Sequence, residues 1–391
     1  MTFELNYLEL YYQLNRCYWN EIVLNSKREC DPLERQLHIL AKSLKINSPK
    51  NDYKRTHIVD RALVDYHPDI VAMSNFLSRK ENYLTDQEID IEKMSTDYLL
   101  LMALRDRLAV KQNYSSYVSM VLKLEGLKFK HLHGCLNKWL DQQIETSKAL
   151  ISKYSLSLDH WYSGLRLINC DCELNHIKLI DKLTSLFPES RDNLTIHRNP
   201  SDRTGYAVEV SEGEVWINVQ RVDTLFDMSV FFHQMGHGLA HALDQSEGLN
   251  RIYTNFYEEL TGILVERFME KLLSEEAQVC LKDIRKLQYT RFGIEALFEL
   301  ELWFSDTSPE DLFRANYQKL LSNLEQMSVH MMNSLHITEP LYMYNYVLAD
   351  IVAEKIIDDG PDSLEELAAY LTNDVFAGGD DGSWLELLGE S

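Results

Sequence analysis

Two histidines four residues apart, His233 and His237, constrain this chain more than any other feature. They lie in the largely apolar segment Phe231–Leu243, which is typical of a helix, and residues four apart on a helix lie one turn above each other. Both imidazoles can then bind one cation from the same face. In a chain with thirteen histidines such a pair also arises by chance, but Gly236, which lets a neighbouring element approach closely, strengthens the prediction.

A zinc site that is open to water needs a third protein ligand. The predicted helix Tyr257–Phe268 supplies three acids, Glu258, Glu259 and Glu266. Glu258 and Glu259 differ by about 100° around a helix, so only one of them is expected to face the site. We predict that Glu259 is the third ligand of one zinc ion and that Glu266, seven residues on, orients a histidine. A plain solvated acid is the alternative for Glu266.

Gln234 follows the first histidine, where zinc peptidases with an HExxH helix carry a glutamate. That glutamate takes a proton from the metal-bound water. Glutamine has nearly the same shape but no carboxylate, so it cannot accept the proton. We therefore expect this chain to bind metal and to be inactive, or nearly so, in hydrolysis.

Apolar residues recur every three to four positions through most of the chain, which predicts a mainly α fold. A turn-rich stretch that begins at Phe187 divides the chain into an N-terminal helical lobe, 1–187, and a metallopeptidase domain, 188–391. The two helical lobes are expected to lie around a cleft. Tyr206–Val210 and Val215–Val219 alternate apolar and polar residues, which predicts a small β-hairpin or sheet beside the metal-binding helix.

The formal net charge of −22 argues against a nucleic-acid partner, because phosphate binding needs positive charge. No apolar run approaches the roughly 18 residues of a membrane span, and the first residues lack a secretory signal, so we expect a cytoplasmic protein with no membrane partner. Six scattered cysteines predict reduced, mostly buried thiols. The sequence gives no indication of the oligomeric state.

Four segments in order resemble the thimet oligopeptidase and oligoendopeptidase F family of zinc metallopeptidases, over roughly residues 200 to 391. They are Phe232–Leu239, Glu259–Glu266, Tyr342–Tyr346 and Gly378–Leu388. The chain departs from the family pattern in Gln234, in Gly262 where a serine is usual, in a short interval between His336 and the tyrosines, and in a small helical half.

The resemblance implies a zinc-dependent endopeptidase that hydrolyses short unfolded peptides with a metal-activated water. It implies that Tyr346 stabilises the negatively charged oxygen of the tetrahedral intermediate of peptide hydrolysis. Tyr342 and His336 are expected to assist Tyr346 in this role. A role as a core aromatic is the alternative for Tyr342. The resemblance also implies that a strand beside the metal helix pairs with the peptide backbone, and Val215–Val219 is the expected edge strand.

Two histories fit Gln234. One is a natural pseudo-peptidase that binds peptides without cleaving them, and the other is a peptidase whose base was replaced. Retention of both histidines, Glu259 and Tyr346 favours the second. A third alternative, a purely structural role with an empty metal site, also stays open.

The other histidines near a possible metal ligand are not expected to bind the zinc ion directly. The sequence His131-Leu-His133-Gly-Cys135 is not expected to bind metal, because alternate residues diverge on a helix. His241 is expected to be a surface residue or a residue that supports the metal site.

Overall fold

The computed structural model describes residues 2–23, 30–46, 53–85, 88–168, 176–198, 205–219, 222–321, 337–361, 363–377, 380 and 388. Over these residues the chain is mainly α, as predicted. The helices are α1 (Thr2–Ile22), α2 (Asp31–Ile46), α3 (Tyr53–Asp65), α4 (Pro68–Leu77), α5 (Ile91–Lys111), α6 (Tyr117–Leu124), α7 (Phe129–Tyr154), α8 (Trp161–Leu167), α9 (His176–Leu186), α10 (Leu225–Leu243), α11 (Asn255–Glu270), α12 (Glu275–Leu302), α13 (Pro309–Tyr317), α14 (Tyr344–Asp359) and α15 (Leu364–Tyr370).

The chain divides into two compact units. The first unit comprises residues 1–36, 165–284 and 348–391, and the second comprises residues 37–164 and 285–347. This division differs from the one predicted at Phe187, because each unit draws on residues from both sides of that position. The chain passes from one unit to the other within helices α2, α8, α12 and α14.

A three-stranded sheet lies in the first unit. Its strands are β3 (Leu194–Arg198), β4 (Tyr206–Ser211) and β5 (Glu214–Val219), in the order β3-β5-β4. β4 and β5 form the predicted antiparallel hairpin, with Gly213 in its turn at φ +72°. β3 pairs in parallel with β5. A second, two-stranded sheet, β1 (Leu84–Thr85) with β2 (Glu88–Ile89), lies in the second unit and was not predicted.

The expectation that Val215–Val219 is an edge strand is wrong. β5 is the central strand, because β3 pairs along the side that the hairpin leaves open. The edges of the sheet are β3 and β4. On β4, the side-chain amide of Asn15 in α1 donates to the carbonyl oxygen of Glu209 at 2.9 Å and occupies one acceptor of that strand.

Helix α1 packs against the sheet of the first unit through an apolar cluster of Trp19, Val23, Val208 and Val210. This contact explains why the N-terminal residues belong to the first unit and not with helices α3 to α7, which follow them in sequence. No described helix is long and apolar enough to cross a membrane.

A disulfide between Cys17 and Cys30 joins α1 to the residue before α2. The expectation of reduced thiols is therefore wrong for this pair. The two sulfurs meet because α1 and the start of α2 lie side by side, with the two Cα atoms 5.9 Å apart across 13 positions of sequence. Cys135 and Cys280 are not part of a disulfide, and Cys170 and Cys172 lie outside the described residues.

Candidate metal centre

Helices α10 and α11 cross at two glycines. A Cβ on Gly236 would lie 2.3 Å from the carbonyl oxygen of Thr261, and a Cβ on Gly262 would lie 2.6 Å from Cε1 of His233. Non-bonded carbon atoms do not approach this closely, so Gly236 is needed for the helices to keep this distance, and Gly262 is needed for the His233 ring to keep its place. Gly262, noted in the sequence because a serine is usual there, leaves room for the imidazole of His233.

The other side of α10 packs on the sheet. A Cβ on Gly238 would lie 2.5 Å from Cδ1 of Ile217 in the central strand. At the start of α10 the hydroxyl of Thr224 accepts from the backbone N–H of Asp227 at 3.1 Å, and at the start of α11 the hydroxyl of Thr254 does the same for Tyr257 at 3.3 Å. Both caps satisfy backbone donors that a helix leaves open, and so define where each helix begins.

His233, His237 and Glu259 come together at this crossing, as the sequence predicted. Each offers a ligand atom, and these atoms all lie within 4.8 Å of one another. Nε2 of His233 lies 3.1 Å from Oε2 of Glu259, and the two imidazoles stand perpendicular with centroids 4.6 Å apart. Two imidazoles and one carboxylate are the donor set of a zinc site that keeps one position open. The residues present therefore fit a zinc ion.

Two further carboxylates lie behind the histidines. Oε2 of Glu266 is 3.6 Å from Nδ1 of His233, and Oε2 of Glu258 is 3.4 Å from Nδ1 of His237. Glu266 is buried and accepts from the hydroxyl of Ser229, so it is not a solvated acid. The expectation that only one of Glu258 and Glu259 faces the site is wrong, because the histidines are one turn apart and each meets a different acid of α11.

Burial and neighbouring charges shift the pKa values of the two imidazoles in opposite directions. Burial alone would lower the pKa of His233, but the hydrogen bonds and charges of Glu259 and Glu266 raise it to about 10. Burial, with the positive charge of His233, lowers the pKa of His237 to about 4. The negative potential at the crossing suits a divalent cation, which competes with the proton because an imidazole binds metal only in its neutral form.

His241 continues the histidine series by one more turn of α10 and is buried, so the surface alternative is wrong. Its Nε2 lies 3.0 Å from Oε1 of Glu258, and its Nδ1 lies 3.6 Å from Oε2 of Glu209. The ring stacks on Tyr253 with centroids 4.4 Å apart. Nε of Arg251 donates to Oε1 of Glu209 at 2.9 Å. Glu209 and Arg251 were not predicted from the sequence, in which only the four-residue spacing of the three histidines pointed toward this cluster.

Gln234 lies between His233 and His237 on the same turn of α10 and is partly exposed. Its Cγ lies 2.8 Å from the position of a Cβ on Gly205, the residue before β4, so this glycine leaves the space that the glutamine side chain fills. The position predicted for the general base therefore lies between α10 and the start of β4 and carries an amide.

Three further residues, Tyr342, Tyr346 and His336, were predicted to belong to the site. Tyr342 and Tyr346 belong to the second unit, where their rings lie 5.7 Å apart and Tyr346 lies 4.5 Å from the ring of Phe292. His336 lies outside the described residues. The catalytic roles of all three stay predictions. His133 faces Glu301 at 3.3 Å, and the metal-binding groups found among the described residues do not include His131, His133 and Cys135.

No protein-family sequence model and no curated protein sequence matches this chain. Solved structures do match it. A carboxypeptidase from Pyrococcus furiosus has a TM-score of 0.64 at 13% identity over 97% of this chain and 91% of its own. Metallocarboxypeptidase 1 of Trypanosoma cruzi has a TM-score of 0.64 at 13% identity over 100% and 95%. A Bacillus anthracis protein assigned as an oligoendopeptidase F has a TM-score of 0.56 at 13% identity over 96% and 84%. At this identity the likeness shows a shared fold.

Proposed function

We propose that this chain is a zinc- and peptide-binding protein with a metallopeptidase fold, in which Gln234 takes the place of the general base. His233, His237 and Glu259 hold one zinc ion. With glutamate at position 234, the protein is a zinc-dependent endopeptidase for short unfolded peptides. The observation that carries this proposal is the convergence of two imidazoles and one carboxylate within 4.8 Å.

The bound zinc ion would polarise the peptide carbonyl and activate a water molecule. The residues of this chain set the geometry around it. Glu259 is 2% exposed at its side chain, and His233 and His237 are 11% and 12% exposed, so the ligands are shielded from bulk water. Gln234 can donate and accept hydrogen bonds at this site but cannot take up a proton at neutral pH. The chemistry therefore stops at binding, for lack of one carboxylate.

The fold supports a peptide as the ligand. The solved structures of similar fold include carboxypeptidases and an assigned oligoendopeptidase F, which act at the end of a chain and within it respectively. We propose cleavage within the chain, because the sequence motifs around His233 and Glu259 resemble the oligoendopeptidase F family. Release of single C-terminal residues would indicate the carboxypeptidase alternative.

The test is to compare the wild-type protein with Gln234→Glu on a mixed peptide library, each loaded with zinc, and to identify the products by mass spectrometry. Gln234→Glu should cleave internal bonds, and the wild-type rate should be about 10²- to 10⁴-fold lower, the usual contribution of a general base. A chelator and the double variant Gln234→Glu/Glu259→Gln should both abolish cleavage. If zinc-loaded Gln234→Glu is inert on every peptide, the endopeptidase proposal fails.

A natural pseudo-peptidase is the second candidate, and the glutamine at the base position favours it. It predicts that zinc-loaded wild-type protein binds peptides tightly while Gln234→Glu remains inert. Binding can be measured with fluorescent peptides from the same library. A protein that takes up no zinc after careful purification and reloading would contradict both candidates and favour a structural role.

A further inference from the structure

A carboxylate faces Nδ1 of each histidine of the candidate metal centre at ion-pair distance, and Nδ1 of His237 makes no hydrogen bond. Each has a carboxylate at Nδ1, Glu266 at 3.6 Å for His233 and Glu258 at 3.4 Å for His237. A histidine that binds metal through one ring nitrogen usually donates the other N–H to such a group, which fixes the tautomer and the direction of the ring. Nε2 of both rings is then the nitrogen available to the metal.

Glu258 is held in place by a chain of charged groups. Its second oxygen, Oε1, lies 3.0 Å from Nε2 of His241. His241 in turn faces Glu209 at 3.6 Å, and Glu209 accepts from Arg251 at 2.9 Å. Acids and bases alternate along the whole series. Arg251 is fixed as well, because it donates to the carbonyl oxygens of Asp244 and His241 at 2.8 Å each.

We infer that Glu258 is a positioning residue that orients His237 toward the metal, and that His241 holds Glu258 in this role. The inference rests on the proposed metal site. Oε2 of Glu258 faces Nδ1 of His237, as a carboxylate behind a metal-binding imidazole does, and Oε1 faces Nε2 of His241. Glu258 was the alternative third ligand in the sequence, but Glu259 is the acid that completes the group within 4.8 Å.

His241 has the environment that this role requires. It is buried, its ring stacks on Tyr253 at 4.4 Å with an interplanar angle of 9°, and both ring nitrogens face carboxylates. The ring therefore cannot turn without leaving its stacking partner and both acids. Glu258, whose side chain is 25% exposed, gains a fixed position from this rigid neighbour.

The test measures zinc affinity by competition with a chromogenic chelator for wild type, Glu258→Ala, Glu258→Gln and the control Glu247→Gln. Glu258→Ala should weaken zinc binding about 10- to 100-fold, the usual cost of removing such a partner. Glu258→Gln keeps an acceptor oxygen for Nδ1 of His237 and should lose less. Glu247 is exposed in the loop between α10 and α11, and its variant should bind zinc as the wild type does.

Two further measurements separate positioning from other roles. Glu258→Ala loaded with Co²⁺ should keep the visible absorption bands of the wild type, because the ligands are unchanged. The effects of His241→Gln and Glu258→Ala on zinc affinity should not add in the double variant, because both act through the same contact. As a control, the unfolding of each zinc-free variant is followed by circular dichroism, and a cooperative transition like that of the wild type would show that the variant is folded.

Unchanged zinc affinity in folded Glu258→Ala would overturn the inference. Cobalt bands that change in position and intensity would also overturn it, because Glu258 would then be a ligand. If Glu258→Ala does not fold, His241→Gln decides, and its zinc affinity should fall several-fold. A wild-type protein that binds no zinc would instead overturn the proposed function, so the two failures can be told apart.

Discussion

Gly262 lies against the imidazole of His233, so that a Cβ on this glycine would come within 2.6 Å of Cε1, 2.8 Å of Nδ1 and 2.9 Å of Nε2. The whole ring thus occupies the space that any other residue at 262 would fill. The position of His233, the first proposed metal ligand, therefore depends on the absence of a side chain at residue 262 in α11.

Gly262→Ala should therefore weaken zinc binding, by about 10-fold or more, because the ring of His233 has to move away from its ligand position. Chelator competition measures the change. Gly134→Ala is the matched control, since no atom lies within 4 Å of a Cβ at that position and zinc affinity should not change. Equal zinc affinities in wild type and Gly262→Ala would show that His233 binds from another position.

Removal of zinc should lower the thermal stability of the first unit. A ligand that binds only the folded state stabilises it by about 2.7 kcal/mol at a free concentration 100 times its dissociation constant. Scanning calorimetry with and without a chelator measures the shift. Glu259→Gln, which removes the charge of one ligand, should respond much less to zinc. A melting temperature that does not depend on zinc would argue against the site.

Arg251→Leu should destabilise the protein strongly. Arg251 and Glu209 are 3% and 1% exposed at their side chains, and removing one partner of such a buried pair typically costs about 3–5 kcal/mol. Urea unfolding measures the loss. The exposed pair of Arg314 and Glu310 is the control, because its removal in Arg314→Leu should cost about 0–1 kcal/mol. Similar costs for both variants would show that the Arg251 pair is not buried in solution.

Cys17→Ser should remove the bond between α1 and the start of α2. A disulfide that closes a loop of about this length stabilises a protein by about 3 kcal/mol, chiefly by restricting the unfolded chain. The free energy of unfolding, measured with and without a reducing agent, should fall by this order in the wild type and should not respond in Cys17→Ser. Mass spectrometry after alkylation would contradict the bond if both cysteines react in the folded, unreduced protein.

The convergence of His233, His237 and Glu259 was predictable because much of its information is local. His233 and His237 are one helical turn apart, and Glu259 lies on the next long helix, so the spacing within each segment determines which side chains share a face. Their distances follow from the crossing of α10 and α11, which Gly236 and Gly262 permit. Gly236 was recognised in the sequence as a point of close approach.

The features that the sequence did not indicate depend on distant residues. β5 is the central strand because it pairs in parallel with β3. β3 and β5 are separated in sequence by β4, so no hairpin pattern in the sequence indicates this pairing. The cluster around His241 needs Glu209 from a strand and Arg251 from a loop. The disulfide needs α1 and α2 side by side. Periodicity within a segment carries no information on such contacts.

The first unit is formed by three separate segments of the chain, and this has a consequence for its synthesis. Tyr257 of α11 donates to the carbonyl oxygen of Val375 at 2.8 Å, and the backbone N–H of Thr254 donates to Asp380 at 2.7 Å. The helix that carries Glu259 is thus held by residues more than a hundred positions later in the chain. On the ribosome, α10 and α11 would emerge long before these partners are translated, so the segment that carries Glu259 can gain both contacts only after Val375 and Asp380 have been synthesised.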